Sequence, residues 1–277
     1  MLAHVRLLRP GNAAMSAAAV GVGAVVAVGV DLAAARAASV ALGALVTFLF
    51  TGAGNALNDF YDRDVDRVNH PERPIPSGRI APRAAFDTAF LLFVLAIVLS
   101  VFLNAAAFGL VLLSLVLMIA YETRFKASGW SGNLLIAWLV GSLFLFAGLC
   151  VFEGQMPPVQ IAANLAVLAA LSTAGREIVK DIEDVAGDVG RATLPKTRGV
   201  PFAGRAARAF LVAAVALSAV PAAFGLLGIW YVPLVALADA TFIYAALHAT
   251  RSPARSERAM KAAMIVALVA FLAGGLG

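Results

Sequence analysis

Long apolar runs, each about as long as a bilayer is thick, alternate with polar segments of very unequal length along this chain. Spanning helices need roughly 17–25 predominantly apolar residues. Nine such runs can be counted, at roughly 12–30, 37–57, 84–103, 106–121, 133–152, 159–176, 207–225, 229–248 and 259–276. The third and fourth are parted only by a turn near Asn104, and the seventh and eighth only by Gly225 to Gly228. Each of these pairs is too long to be one span. The pattern predicts an all-α polytopic membrane protein with nine transmembrane helices and a single domain over residues 1–277. Residues 1–10 are short and basic and lead into a full-length span, so no cleavable signal peptide is expected.

Composition agrees with this reading. The chain is 62% hydrophobic and 13% charged, with a mean hydropathy of +0.91. A soluble domain has about a quarter of its residues charged. The single Cys150 lies inside an apolar run, which excludes disulfides within the chain and points to a small buried hydrophobe. The net charge of +5 is explained by topology and calls for no nucleic acid. With the N-terminus in the cytoplasm and nine alternating spans, Arg36 alone of the 21 Lys and Arg residues falls outside. The long polar connections at 58–83, 122–132 and 177–206 then all face the cytoplasm. This places a multi-pass protein in the cell membrane with its chemistry on the cytoplasmic side.

That chemistry is concentrated in two acidic clusters, each at the inner end of a span. Residues Asn58-Asp59-Phe60-Tyr61-Asp62-Arg63-Asp64-Val65-Asp66 form the first, and Glu177 to Asp188 the second. Together they hold nine of the 16 acidic residues. Carboxylates near a bilayer are costly and rarely gather without a use. Asn55, Asp59, Asp62 and Asp66 follow i, i+4, i+7, i+11, which puts them on one helix face; Glu177, Asp181, Asp184 and Asp188 repeat the spacing. Asp64 points elsewhere, towards Arg63 or Arg67, and Gly187 is expected to loosen the second helix end. Like charges on one face repel, and a hard divalent cation removes that penalty. Mg²⁺ takes a few carboxylates together with water and phosphate oxygens. Arg73, in the turn-rich His70 to Arg79 loop, and Lys126 and Lys180 are the complementary phosphate-binding candidates.

On these residues the chain resembles the UbiA superfamily of intramembrane prenyltransferases. The family motif Asn-Asp-x-x-Asp-x-x-x-Asp is matched by Asn58, Asp59, Asp62 and Asp66. The second motif, Asp-x-x-x-Asp, is matched by Asp184 and Asp188, with Asp181 one turn earlier. Arg176 to Asp184, Gly187-Asp188 and Thr193-Leu194-Pro195 look most like the archaeal ether-lipid branch. Arg6 to Asn12 and Gly132-Asn133 are similar to wider family patterns.

The resemblance implies a UbiA-like bundle. It also implies Mg²⁺-dependent transfer of a geranylgeranyl group from geranylgeranyl diphosphate to the hydroxyl of geranylgeranylglyceryl phosphate. Asp59, Asp62, Asp66, Asp181, Asp184 and Asp188 would be the catalytic, metal-holding residues. Arg73, Lys126 and Lys180 would hold the leaving diphosphate, and Asn12, Asn55, Asn58, Asn133 and Glu177 are expected to contact substrate. The motifs serve the shared donor, so an aromatic acceptor stays open. So does a different class, a cation-coupled transporter, for which only Asp239 within the eighth span argues. Tyr61 and Tyr121 are read as interfacial anchors or as faces for a cation.

Overall fold

Helices dominate because most of the chain is apolar and every backbone polar group in hydrocarbon must be satisfied within its own segment. The computed structural model describes residues 2–29, 34–126, 128–154, 156–185 and 192–276. The long helices are α2 (Pro10–Val28), α3 (Ala34–Tyr61), α5 (Pro82–Ser100), α6 (Ala105–Ala120), α7 (Gly129–Cys150), α8 (Met156–Glu183), α10 (Val200–Ala223), α11 (Tyr231–His248) and α12 (Pro253–Leu276). Among the described residues nine helices are long and apolar enough to cross a membrane, matching the nine expected. Three short helices were not anticipated: α1 (Leu2–Leu8), α4 (Arg63–Asn69) and α9 (Leu194–Arg198).

Several spans run past the bounds set by hydropathy. α3 continues to Tyr61, α8 to Glu183, and α10 starts at Val200 instead of 207. Hydropathy marks only the part of a helix that suits hydrocarbon; Glu177, Lys180 and Glu183 extend α8 and Ala203, Arg205 and Ala206 extend α10 as good helix formers, whereas the end of α3 is held by the contacts of Asn58 and Asp59 to other segments. The turn at Asn104 is as expected, with its side chain accepting from Ala107 N at 2.9 Å and capping α6. α8 ends at Glu183, so the break comes before Gly187, which lies outside the described residues.

Small residues set how closely the helices approach, as expected where apolar burial gives no driving force between helices in lipid. α2 is central and touches α3, α7, α8 and α12. A Cβ on Gly141 of α7 would lie 2.6 Å from the Ala166 carbonyl oxygen of α8, and one on Gly148 would lie 2.3 Å from Ala162 Cβ. Phe90, Leu91, Val116, Leu237, Leu247 and Ile265 stay exposed, an outer surface suited to lipid. Cys150 is buried against α3. At the end of the bundle away from the acidic clusters, Arg36 donates to Glu153 at 2.7 Å. That bond holds the Glu153 carboxyl below its ordinary value.

Candidate functional site

The first acidic stripe crosses a helix break. α3 stops at Tyr61 and α4 starts at Arg63, yet Asp62 N donates to Asn58 O at 2.9 Å and Asp66 N to Asp62 O at 2.8 Å. The i→i−4 pattern carries on through Asp62, so Asn55, Asn58, Asp59, Asp62 and Asp66 keep a common side. Asp64 turns away, as expected, to Arg67 at 3.2 Å and Arg63 at 3.8 Å.

Basic side chains from three other segments close on the stripe. Arg73 Nη1 lies 2.6 Å from Asp66 and 3.7 Å from Asp59. Its loop is pinned by Ile75 and Ile80, both buried with Leu7, and turned by Gly78 at φ 72°. Lys126 Nζ lies 2.8 Å from both Asp62 and Glu122. Glu122 sits in a π-helical turn (Tyr121–Phe125) that continues α6 and that Lys126 caps, its N donating to Tyr121 O at 2.8 Å. Single π turns inside α-helices are frequent at functional sites. Arg9, between α1 and α2, pairs with Asp59, whose side chain is only 2% exposed. The first cluster therefore sets four carboxylates against three cations. Asp59, expected among the metal ligands, lies under two arginines.

Two members of this cluster escaped the sequence. Glu122 is buried, and its Oε1 accepts from Asn58 Nδ2 at 3.0 Å. A lone acid next to Arg124 gives little signal; the one clue was its i, i+4 relation to Lys126 after the fourth span. Arg9 read as one of many topology-setting arginines. The asparagines bond one another and the backbone beside the cluster: Asn12 Nδ2 donates to Asn55 Oδ1 at 3.3 Å, and Asn55 Nδ2 to Leu8 O at 2.9 Å.

The second cluster is more open. Asn133 Nδ2 donates to Asp181 Oδ2 at 2.8 Å. Beside it, Gly132 lets the start of α7 approach the turn after α6, since a Cβ there would meet Phe125 O at 2.7 Å. Glu177 accepts from Arg176 at 2.8 Å, and Arg176 also bonds Glu257 of α12 at 2.7 Å; Lys261 adds a bond to Glu257 at 2.9 Å. Lys180 and Asp184 are exposed, and Asp188 lies outside the described residues.

A cavity of about 310 Å³ runs from the first cluster into the bundle between α2, α3, α6 and α7. Arg9, Asn12, Asn55, Asn58, Tyr121 and Glu122 line its polar part; Phe50, Leu110, Val111, Leu139, Leu143 and Phe146 line the rest. The shape suits an amphiphile with a charged head and an apolar chain. Tyr121 faces this cavity, with Lys126 Nζ 5.9 Å from its ring, whereas Tyr61 is exposed. No second-cluster acid is among the described lining residues. A second cavity of about 250 Å³ lies between α7, α8, α10, α11 and α12. Asp239 lines it and accepts from Ser218 Oγ at 2.7 Å, so the intramembrane acid is both cavity-facing and bonded to a neighbouring helix.

Among the described residues no three His, Cys, Asp or Glu side chains converge as a metal site. The donor set is nonetheless chemically apt for Mg²⁺. It is an all-oxygen set, and Mg²⁺ keeps several waters and binds through one or two carboxylates plus substrate phosphate, without needing a protein cage.

Comparison with known proteins agrees with this picture. The model of the UbiA prenyltransferase family matches residues 14–273. Digeranylgeranylglyceryl phosphate synthase of Natronomonas pharaonis is 39% identical over 274 residues, covering 98% of this chain and 96% of that protein. A structure reported for digeranylgeranylglyceryl phosphate synthase superposes with a TM-score of 0.87 at 31% identity, covering 99% of this chain and 98% of the other. A UbiA homologue from Archaeoglobus fulgidus, bound to GPP and Mg²⁺, shares the fold with a TM-score of 0.67 at 19% identity over 98% of this chain and 97% of its own.

Proposed function

This chain belongs to the UbiA prenyltransferase family, and from that premise we propose that it transfers a geranylgeranyl group from geranylgeranyl diphosphate to the hydroxyl of geranylgeranylglyceryl phosphate. It is a prenyltransferase and a multi-pass membrane protein. The observation that carries the proposal is the 310 Å³ cavity, apolar along its depth and lined at its polar end by Asn58 of the first acidic motif together with Arg9, Asn12, Asn55 and Glu122. The near full-length identity to the Natronomonas pharaonis synthase supports the choice of acceptor.

In this reading the donor's chain lies along Phe50, Leu143 and Phe146, with its diphosphate at the Asn58–Asp66 end. Asp62, Asp66, Asp181, Asp184 and Asp188 would hold Mg²⁺, with Asn58 as a neutral oxygen donor. When bound, the metal supplies Lewis-acid stabilisation of the leaving diphosphate. Arg73 and Lys126, paired with Asp66 and Asp62, would release their carboxylates in part and turn to the phosphate oxygens. The allylic C–O bond breaks, its electron pair leaves with diphosphate, and the acceptor hydroxyl oxygen bonds to the allylic carbon while its proton passes to the released diphosphate. Asn133 orients Asp181, and the Arg176–Glu257 pair holds the end of α8 against α12. The basic residues concentrated at this end favour placing it at the cytoplasmic face of the cell membrane.

The test is a transfer assay on purified protein in lipid nanodiscs with labelled geranylgeranyl diphosphate and Mg²⁺. Geranylgeranylglyceryl phosphate and 4-hydroxybenzoate are offered in parallel. Label in the glycerol ether, lost on chelation, is the expected result. Label only in the aromatic product would overturn the acceptor, and no transfer to either would overturn the donor.

A further inference from the structure

We infer that Arg9 is the anchor for the acceptor's phosphate monoester, with Asp59 as the positioning residue that presents it. This rests on the phosphorylated acceptor proposed above. A reaction between two phosphorylated lipids needs two anion sites close enough for the hydroxyl of one to meet the allylic carbon of the other. Arg73 and Lys126 answer for the donor: they are paired to Asp66 and to Asp62 and Glu122, beside the metal-holding positions. Arg9 is separate. It is the one basic side chain among the described residues that line the main cavity.

Its geometry is that of a cation held in wait. One Nη of the guanidinium bonds Asp59, and Nε and the other Nη bond no described residue. Asp59 is 2% exposed and Arg9 37%, so the carboxylate is spent on holding the arginine while the arginine keeps an open edge. A guanidinium edge with parallel N–H groups matches phosphate oxygens bidentately.

The backbone supports the same view. Arg9 has φ 47° and ψ 66°, and it is the one non-glycine among the described residues at positive φ. Such strain persists only where the surroundings impose it, and it gathers at ligand-holding sites. Here Leu7, fully buried in the cluster with Ala53, Ala56 and Leu57, fixes the end of α1, and Pro10 fixes the start of α2. Asp59 also lies 3.7 Å from Arg73. One buried carboxylate therefore sets the two arginines side by side, one facing each substrate's phosphate. The acceptor's phosphate and hydroxyl share one glycerol unit, so anchoring the phosphate at Arg9 brings the hydroxyl to the donor's reacting end.

The experiment compares geranylgeranylglyceryl phosphate with its dephosphorylated alcohol at saturating donor, in the wild type, Arg9→Gln, Arg9→Lys and Arg9→Gln/Asp59→Asn. The double variant removes the buried carboxylate that Arg9→Gln strands, which keeps a folded sample in hand. The expected result is a KM for the phosphorylated acceptor raised at least tenfold in both Gln variants. In Arg9→Gln, which leaves Asp59 beside Arg73, the donor KM should move less than threefold; the preference for phosphorylated over neutral acceptor should collapse in both Gln variants, and Arg9→Lys should recover part of it. A raised donor KM with unchanged acceptor KM would reassign Arg9 to the diphosphate, and unchanged preference would remove it from recognition altogether. Either overturns the inference while leaving prenyl transfer intact. Wild-type protein that transfers to neither acceptor overturns the underlying reading, and it is seen before any variant is made.

Discussion

Removing Lys126 should cost stability through the two carboxylates it leaves behind. Nζ lies 2.8 Å from Asp62 and 2.8 Å from Glu122, so those two oxygens lie within about 5.6 Å of one another. Two unit charges at that separation repel by roughly 3 kcal/mol at an effective dielectric constant of about 20. Glu122 is 2% exposed, but Asp62 is 17% and Lys126 14%, so water reaches part of the site. That lowers the expected loss for Lys126→Met to about 2–3 kcal/mol, below the ~3–5 kcal/mol for breaking a fully buried pair. Glu122→Gln in the same chain removes the repulsion and keeps an oxygen for Asn58 Nδ2. The double variant should regain about 1–2 kcal/mol of that loss, as coupling between touching residues requires. The assay is reversible unfolding in mixed micelles, read as a double-mutant cycle. A Lys126→Met protein as stable as wild type, or a double variant no more stable than the single, would refute the reasoning. Donor affinity should fall at least tenfold in Lys126→Met, checked by donor KM.

Three further outcomes are expected. Asp62→Ala and Asp184→Ala should each lower turnover at least a thousandfold while the protein remains folded and extractable; near-wild-type turnover in either would remove that cluster from the metal site. Gly141→Ala should lower stability by about 1–3 kcal/mol, because its Cβ would meet the Ala166 carbonyl at 2.6 Å and backbone cannot yield as a side chain can; melting temperature in nanodiscs checks it. Glu153 has its carboxyl held below the ordinary value by Arg36. The Arg36–Glu153 bond should thus add stability at neutral pH and lose it as pH falls through that lowered value. Glu153→Gln should melt slightly below wild type near pH 7 and converge with it as pH falls through that lowered value.

The spans, the turn at Asn104 and the acidic stripe were legible because each is a local pattern. An apolar run has a length, and an i, i+4, i+7 series has a face. What stayed hidden depends on segments distant in sequence. The Arg9–Asp59 pair joins residues 50 apart, and nothing in Arg6 to Pro10 says that the chain turns left-handed there. Glu122 became visible only once the π turn brought it against Asn58 and Lys126. The short helices α1, α4 and α9 lack the length that gives a periodic signal, and tertiary contacts hold them instead. Asp184 was expected on one helix face with Glu177 and Asp181, but α8 ends one residue before it and it is exposed, because spacing does not tell where a helix stops.

The most direct test of the account is a crystal structure with Mn²⁺ in place of Mg²⁺ and an unreactive thio-diphosphate analogue of the donor. The account predicts an anomalous peak bridging the diphosphate to Asp62 or Asp66, with the prenyl chain running past Phe50, Leu143 and Phe146. A chain in the cavity beside Asp239, or a metal bound away from the first motif, would contradict it.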